Sequence, residues 1–167
     1  MKILLFLGLF FTNLNASTIS ISAPKPGDLS LYSYRSTESG DEVNQEWEWR
    51  EESFSKDDDE YKTHLSIFSE GKLVDQFTLF SSSLSIERKM KRADFSKCIG
   101  EGGKLETVVV TAGTFKSCRI ESSGDHGGVI TTWYADVPNY SVKWTETDSD
   151  GTMLISVELK KFSKGTR

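Results

Sequence analysis

The sequence predicts an all-β domain, a meander of antiparallel strands with room for one short helix. Three observations carry this reading. Apolar and polar residues alternate with period two through most of the chain, the pattern of strands that bury one face and wet the other. Short segments rich in Gly, Asp, Asn and Ser separate the runs, and these suit hairpin turns. The chain has 167 residues with neither a linker nor a fixed sequence repeat, which fits one domain.

A different kind of segment precedes the strands. Lys2 supplies one positive charge, Ile3 to Phe11 is an apolar run, and Thr12 to Asn15 lead to the small residue Ala16. Charge, apolar stretch and small residue are the three parts of a secretory signal peptide. A spanning helix needs about 20 apolar residues, more than this run supplies. Residues 1–16 are therefore read as a leader and 17–167 as a single antiparallel β domain. The mature protein is expected to be soluble, periplasmic or secreted, and without a transmembrane segment. No cysteine precedes Cys98, so no thiol stands near the new N-terminus to carry a lipid.

The strands follow in order. Val43, Gln45, Trp47 and Trp49 share one face, against Glu46, Glu48, Arg50 and Glu52. Tyr61, Thr63, Leu65 and Ile67 repeat the pattern, with Lys62 and His64 opposite. Leu73 to Phe80 is apolar on both faces, as is Val108 to Val110. Such strands need cover on both sides, so the sheet must curl or be overlaid by another element. Ser85 to Phe95 is the candidate cover. Ile86, Met90 and Ala93 stand at helical spacing, while Leu84, Ile86 and Met90 fit a strand equally well. Ser85–Lys97 thus stays open between the two, the balance falling to a strand at its start and a helical turn at Ala93–Lys97. Val129, Thr131 and Trp133 form the next alternating face, then Tyr140, Val142 and Trp144, and finally Met153, Ile155, Val157 and Leu159. Ser39-Gly40-Asp41, Glu70-Gly71, Ala112-Gly113 and Asp148 to Gly151 are the hairpin turns, and Pro138 bends the chain between Asp136 and Asn139.

Export gives the cysteines their meaning. In an oxidising compartment an even count signals disulfides, and Cys98 and Cys118 can pair only with each other within one chain. Closing a loop of about 20 residues restricts the unfolded chain by roughly 3 kcal/mol in the entropic model. Gly100-Glu101-Gly102-Gly103 after Cys98 allows the chain to fold back toward Cys118. No Lys-Ser or Lys-Thr follows these glycines, so they are a connector and not a phosphate cradle.

The stretch Leu105 to Ile120 holds a strand, then Ala112-Gly113-Thr114-Phe115, then Cys118. It resembles the hairpin of uncharacterised exported bacterial β-proteins. Those proteins continue with a Trp-Tyr-Ala strand and a Val-Lys strand, here Trp133-Tyr134-Ala135 and Val137 through Val142-Lys143. Thr111 stands where the family has Pro. The resemblance spans Cys98 to Phe162. It implies a strongly curved, half-barrel-like antiparallel sheet, similar to the half-barrels of envelope lipoprotein carriers, and it brings no catalytic residues.

Composition narrows the function. Lys and Arg total 20 against 25 for Asp and Glu, a formal charge of −5. Sequence-independent nucleic-acid binding rests on basic surface, so no nucleic-acid partner is expected. Two His and two Cys are too few for the usual zinc sites. Ser122, Asp125 and His126 crowd one loop, where adjacent residues rarely reach triad geometry, and no G-x-S-x-G elbow occurs. We therefore expect no catalytic residue, no metal and no cofactor. The aromatics are more informative. Trp47, Trp49, Trp133 and Trp144 are the candidate lining of a concave face, able to pack shut or to hold an apolar ligand. The expected function is an exported non-enzymatic β-protein that binds or carries an apolar ligand such as a lipid. The alternative is a structural or protein-interaction module of the cell envelope, using a strand edge or the basic block Arg88 to Arg92.

The leader makes a direct prediction. N-terminal sequencing of the mature protein from its host should begin at Ser17, and Met1 retained on the soluble cytoplasmic protein would refute export.

Overall fold

The computed structural model describes residues 21–124 and 127–166; the leader at Met1–Ala16, together with Asp125 and His126, lies outside the described residues. Alternation along the chain becomes a nine-stranded antiparallel sheet. The first four strands are β1 (Leu29–Ser36), β2 (Val43–Ser55), β3 (Glu60–Ser69) and β4 (Lys72–Ser82). A helix, α1 (Ser83–Ala93), follows. The chain then forms β5 (Lys104–Val110), β6 (Gly113–Ser123), β7 (Val129–Tyr134), β8 (Ser141–Thr147) and β9 (Met153–Ser163). In space the order is β4-β3-β2-β1-β9-β8-β7-β6-β5. Two meanders are therefore joined at their ends, with β1 and β9 paired at the centre.

The turns make this local order cheap to form. Glu70 and Gly71 have φ of 51° and 73°, and positive φ at both central residues is the two-residue hairpin geometry that matches strand twist. Side-chain register then extends across the sheet. Tyr32 lies between Trp47 on β2 and Leu159 on β9, and Trp144 lies between Val157 on β9 and Thr132 on β7. Tyr32, Val142, Val157 and Leu159 are buried and form the main core with Val110, Ala135 and Val137. Each fully buried large apolar side chain contributes about 1.5–3 kcal/mol.

The segment read as a strand start followed by a helical turn is instead helical from Ser83 to Ala93. Ser82 caps it by accepting a hydrogen bond from the Ser85 amide, satisfying one of the orphan donors of the first turn. Lys91 and Arg92 sit in the last turn, where cations meet the negative end of the helix dipole. Ile86 and Ala93 turn inward and are buried. Helical spacing prevailed over alternation because a sheet beneath this segment receives Ile86, Met90 and Ala93 along one stripe.

The helix also reveals the curvature. It contacts β4 on one side and β6 and β7 on the other, and Arg92 donates a hydrogen bond of 3.2 Å to the Tyr134 hydroxyl on β7. Six strand steps from β4 to β7 would span about 29 Å in a flat sheet. An eleven-residue helix is only about 16 Å long. The sheet therefore curls around the helix, as the half-barrel reading requires, but stays open between β4 and β5. Curling does not supply the cover expected over Leu73–Phe80. Leu73, Val74, Phe77 and Phe80 remain exposed on the edge strand, and Val109 is exposed while Val110 is buried. The helix covers the inner face farther in, so the rim is left bare.

Cys98 and Cys118 form the bridge, with Cα atoms 5.4 Å apart and both residues fully buried. The bridge ties the glycine loop to the open end of the β5–β6 hairpin, where Cys118 lies opposite Leu105. Gly103 is required beside it. A Cβ there would come within 2.3 Å of the Cys118 sulfur and 2.7 Å of the Cys98 sulfur, closer than any side chain tolerates. The bridge thus fastens the return from α1 to the far edge of the sheet. Replacing both cysteines by Ser should lower unfolding stability by about 2–4 kcal/mol in urea titrations. Thiol titration of the denatured, unreduced protein should find no free sulfhydryl.

Candidate functional site

The inner face of the curled sheet holds a groove of about 190 Å³. Its floor comes from the register: Trp47 and Trp49 on β2, Tyr32 on β1, Val157 on β9, Trp144 on β8 and Thr132 on β7. Tyr34 stacks on Trp47 with ring centroids 4.2 Å apart, and Gln45 accepts a 3.1 Å hydrogen bond from the Trp47 indole nitrogen. These contacts hold the Trp47 ring in one orientation.

Polar groups close the groove from above. Lys89 reaches in from α1, and Asn139 and Ser141 come from the β7–β8 connection. That connection is folded inward by two hydrogen bonds from β1. The Ser30 hydroxyl donates to the Pro138 carbonyl at 2.9 Å, and the Tyr32 hydroxyl donates to the Ser141 carbonyl at 2.8 Å. Asn139 and Tyr140 both adopt positive φ, near 60°, to make the bend. Burial pushes the Tyr32 phenol up to about 12, the Ser30 and Asn139 hydrogen bonds opposing, so it stays a neutral donor.

Three of the four tryptophans read from the sequence meet here. Trp133 does not. It lies level with Arg119 and Lys143, one residue out of phase with Thr132, and so faces the outer side of the sheet. Its indole nitrogen donates to Glu106, and Arg119 and Lys143 approach its ring at 5.9 and 5.6 Å. Trp133 is thus an anchor for charged side chains. Grouping the tryptophans by residue type overlooked the strand phase, which alone decides the face.

Next to the groove, in a small cavity that shares Trp49 and Asn139 with it, lies a carboxylate that the sequence reading passed over. Glu51 continues the inward phase of Trp47 and Trp49. Thr63 donates to one of its oxygens at 2.9 Å, while among the described residues no group hydrogen-bonds the other, which is buried. Desolvation raises its pKa from 4.5 to about 7; the Thr63 hydrogen bond lowers it, Asp28 adds repulsion, and Lys89 pulls the other way. Lys89 is itself lowered by burial, against the attraction of Glu51. A charged residue in step with two tryptophans was the available signal.

The remaining candidates are distributed over the surface. His64 is held on the outer side of the sheet by Glu52 and by Thr78, 3.2 Å away. Among the described residues no three His, Cys, Asp or Glu side chains gather to hold a metal ion, and no helix is long and apolar enough to cross a membrane. A larger groove of about 650 Å³ lies around Ser33, Ser156, Glu46, Glu158 and Lys160. Several of its charges are paired, Lys160 with Glu46 and Glu158 with Lys143. Tyr34 and Phe68 are its aromatic lining, whereas three indoles and a phenol gather at the smaller groove, and we place the candidate site there for that reason.

No protein-family model matches the chain, and no curated protein matches it in sequence. Solved structures resemble it in fold. A candidate exported protein with YmcC-like fold from Bacteroides fragilis aligns over 86% of this chain and 99% of its own, with a TM-score of 0.60 and 9% identity. A candidate lipoprotein from Parabacteroides distasonis aligns over 86% and 98%, with a TM-score of 0.55 and 11% identity. MucB of Pseudomonas aeruginosa, solved as a complex with MucA, aligns over 83% of this chain with a TM-score of 0.50 and 9% identity. The chain spans about half the length of MucB, 52%. At these identities the likeness is one of fold. The buried disulfide independently fits an extracytoplasmic location.

Glu51 sets a pH dependence. Its folded pKa lies above its ordinary value, so the folded state binds this proton more tightly. The stabilisation is complete below about 4.5 and is lost as pH rises through about 7. The carboxyl is only partly buried, and solvent screening leaves an effect of about 1–2 kcal/mol. Glu51→Gln should therefore be more stable than the native protein by that amount at about pH 8, and equal to it at about pH 4, below the unfolded pKa, in urea denaturation. Equal effects at both pH values would rule out the shifted carboxyl.

Proposed function

We propose that this is an exported, non-catalytic binding protein of the cell envelope, and that its inner tryptophan groove receives an apolar group carried by a partner protein. The observation that carries the reading is the lining: three indoles and a buried phenol on a rigid sheet, rimmed by Lys89 and Asn139. Aromatic walls with a few polar groups at the rim are how proteins hold apolar groups while fixing their orientation. The volume favours a side chain over a whole lipid. Ligand pockets that enclose drug-sized molecules run to roughly 300–1,000 Å³, and this groove is about 190 Å³. The fold neighbours support the same class. They include a candidate exported protein, a candidate lipoprotein, and MucB bound to MucA.

A second reading, a lipid held by its apolar end, draws on the Lys89 ammonium at the rim, which suits an anionic headgroup. Two measurements separate these readings. A photoreactive residue in place of Thr132, on the groove floor, should cross-link in its host to one discrete envelope protein, and Trp144→Ala should abolish the adduct. A lipid mass retained on the purified protein in native mass spectrometry would instead favour the second reading. Neither adduct nor retained mass would refute binding at this groove.

A further inference from the structure

The open rim of the sheet has a feature that the inner groove does not explain. β4 is eleven residues long and terminates the sheet, so among the described residues one side of its backbone has no strand partner. Natural edge strands are usually short, charged, interrupted by proline or covered, because a bare edge pairs with other strands. β4 contains no proline and only two charged residues, Lys72 and Asp75. Its bulge lies near its start, at Leu73 to Asp75, and leaves the rest regular. The opposite edge, β5, is shorter, at seven residues, and carries Lys104 and Glu106.

The side chains of β4 are exposed on both faces. Leu73, Val74, Phe77 and Phe80 are 55%, 54%, 45% and 62% exposed, and Leu84 in the first turn of α1 is 55% exposed. We propose that β4 pairs antiparallel with β4 of a second copy of this chain, about a two-fold axis at Phe77.

The strand's own order is self-complementary in that register. Phe77 lies opposite its counterpart, Gln76 opposite Thr78, and Val74 opposite Phe80, so the central pairs match polar with polar and apolar with apolar, while Leu73 meets Ser81. Asp75 falls opposite Leu79, and no like charges come directly opposite one another, the arrangement that destabilises strand pairs. At each end Lys72 comes level with Ser82 of the other copy. Ser82 is paired on its other side with Glu60, at the end of the acidic turn Asp57 to Glu60. One cation thus meets one acidic turn, twice, around the two-fold.

The apolar side chains supply about two thirds of the area a specific interface needs. An aromatic side chain presents about 150–250 Å², so the exposed parts of Phe77 and Phe80 offer roughly 200 Å² per copy, and Leu73, Val74 and Leu84 offer about as much again. Doubling by symmetry gives about 800 Å² of apolar surface, before any backbone or polar area, against the ~1,200 Å² total at which specific interfaces begin. A two-fold pairing also uses up both edges at once and closes the assembly as a dimer.

Sedimentation velocity on the mature protein should show a monomer–dimer equilibrium across micromolar concentrations. Phe77→Lys sets two ammonium groups face to face at the axis and should leave only monomer, with unchanged circular dichroism. Phe80→Lys, at a more exposed position, should do the same and guards against a folding defect in the first variant. Phe77→Cys should oxidise to a covalent dimer with Cys98–Cys118 intact, whereas Phe54→Cys, exposed on β2, should not. A wild type that is monomeric throughout, including one whose edge is occupied by a different protein, would overturn the proposal. So would a dimer that survives both lysine substitutions. Loss of the dimer with cross-linking at the groove retained would leave the groove reading standing, because the two surfaces are separate.

Discussion

The pairing of β1 with β9, packed around Tyr32 and Leu159, makes one sheet out of two meanders. Each meander alone has short, local connections and could form its hairpins independently. Neither could bury its inner face. Joining them places Tyr32 between Trp47 and Leu159 and sets the β2 indoles on one floor with the Val157–Trp144 pair of the other half, so the floor of the groove exists only once the two halves meet. The contact joins distant parts of the chain, and such contacts cost loop-closure entropy before they return any stabilisation. The fold therefore relies on strongly specified turns to prepare each half in advance.

Curvature follows from the same junction. A continuous nine-stranded sheet with one apolar face has to curl or gain a second layer, and the described residues include only eleven in a helix with which to cover it. The helix spans the trough instead of covering the sheet. Cys98–Cys118 and the glycine loop then carry the chain from the end of the helix to the opposite edge. Gly103 is essential there because the two sulfurs occupy the space a side chain would need.

The groove and the edge are two results of incomplete coverage. Where the helix crosses, the inner face is closed except for a small seat among three indoles, with an ammonium at its rim and a carboxylate in the adjoining cavity, both held at some cost in desolvation. Where the helix does not reach, β4 keeps apolar side chains in water. Both features lower the stability of an isolated monomer relative to a fully packed sheet, and surfaces that are costly to leave bare are the ones that a partner relieves.

Alternation was enough to read most strands, and turn chemistry most of their boundaries, because period-two burial and positive φ are local properties. The sole possible disulfide was legible for a similarly simple reason: two cysteines allow one pairing. The helix was ambiguous, since Ile86 serves either period and only the sheet beneath it decides. Three tryptophans of the four were placed at the site, and the fourth was lost because the face of Trp133 depends on register with Arg119 and Lys143. Glu51 was visible in phase with Trp47 and Trp49, but its raised pKa comes from burial and from Asp28 nearby, which only the folded chain supplies. The residues alone determined the all-β class, most of the strands and the bridge, since each depends on local pattern or on simple counting. Only the tertiary structure decided the central β1–β9 pairing, the groove and the bare edge, because burial and register across strands are set by residues far apart in sequence.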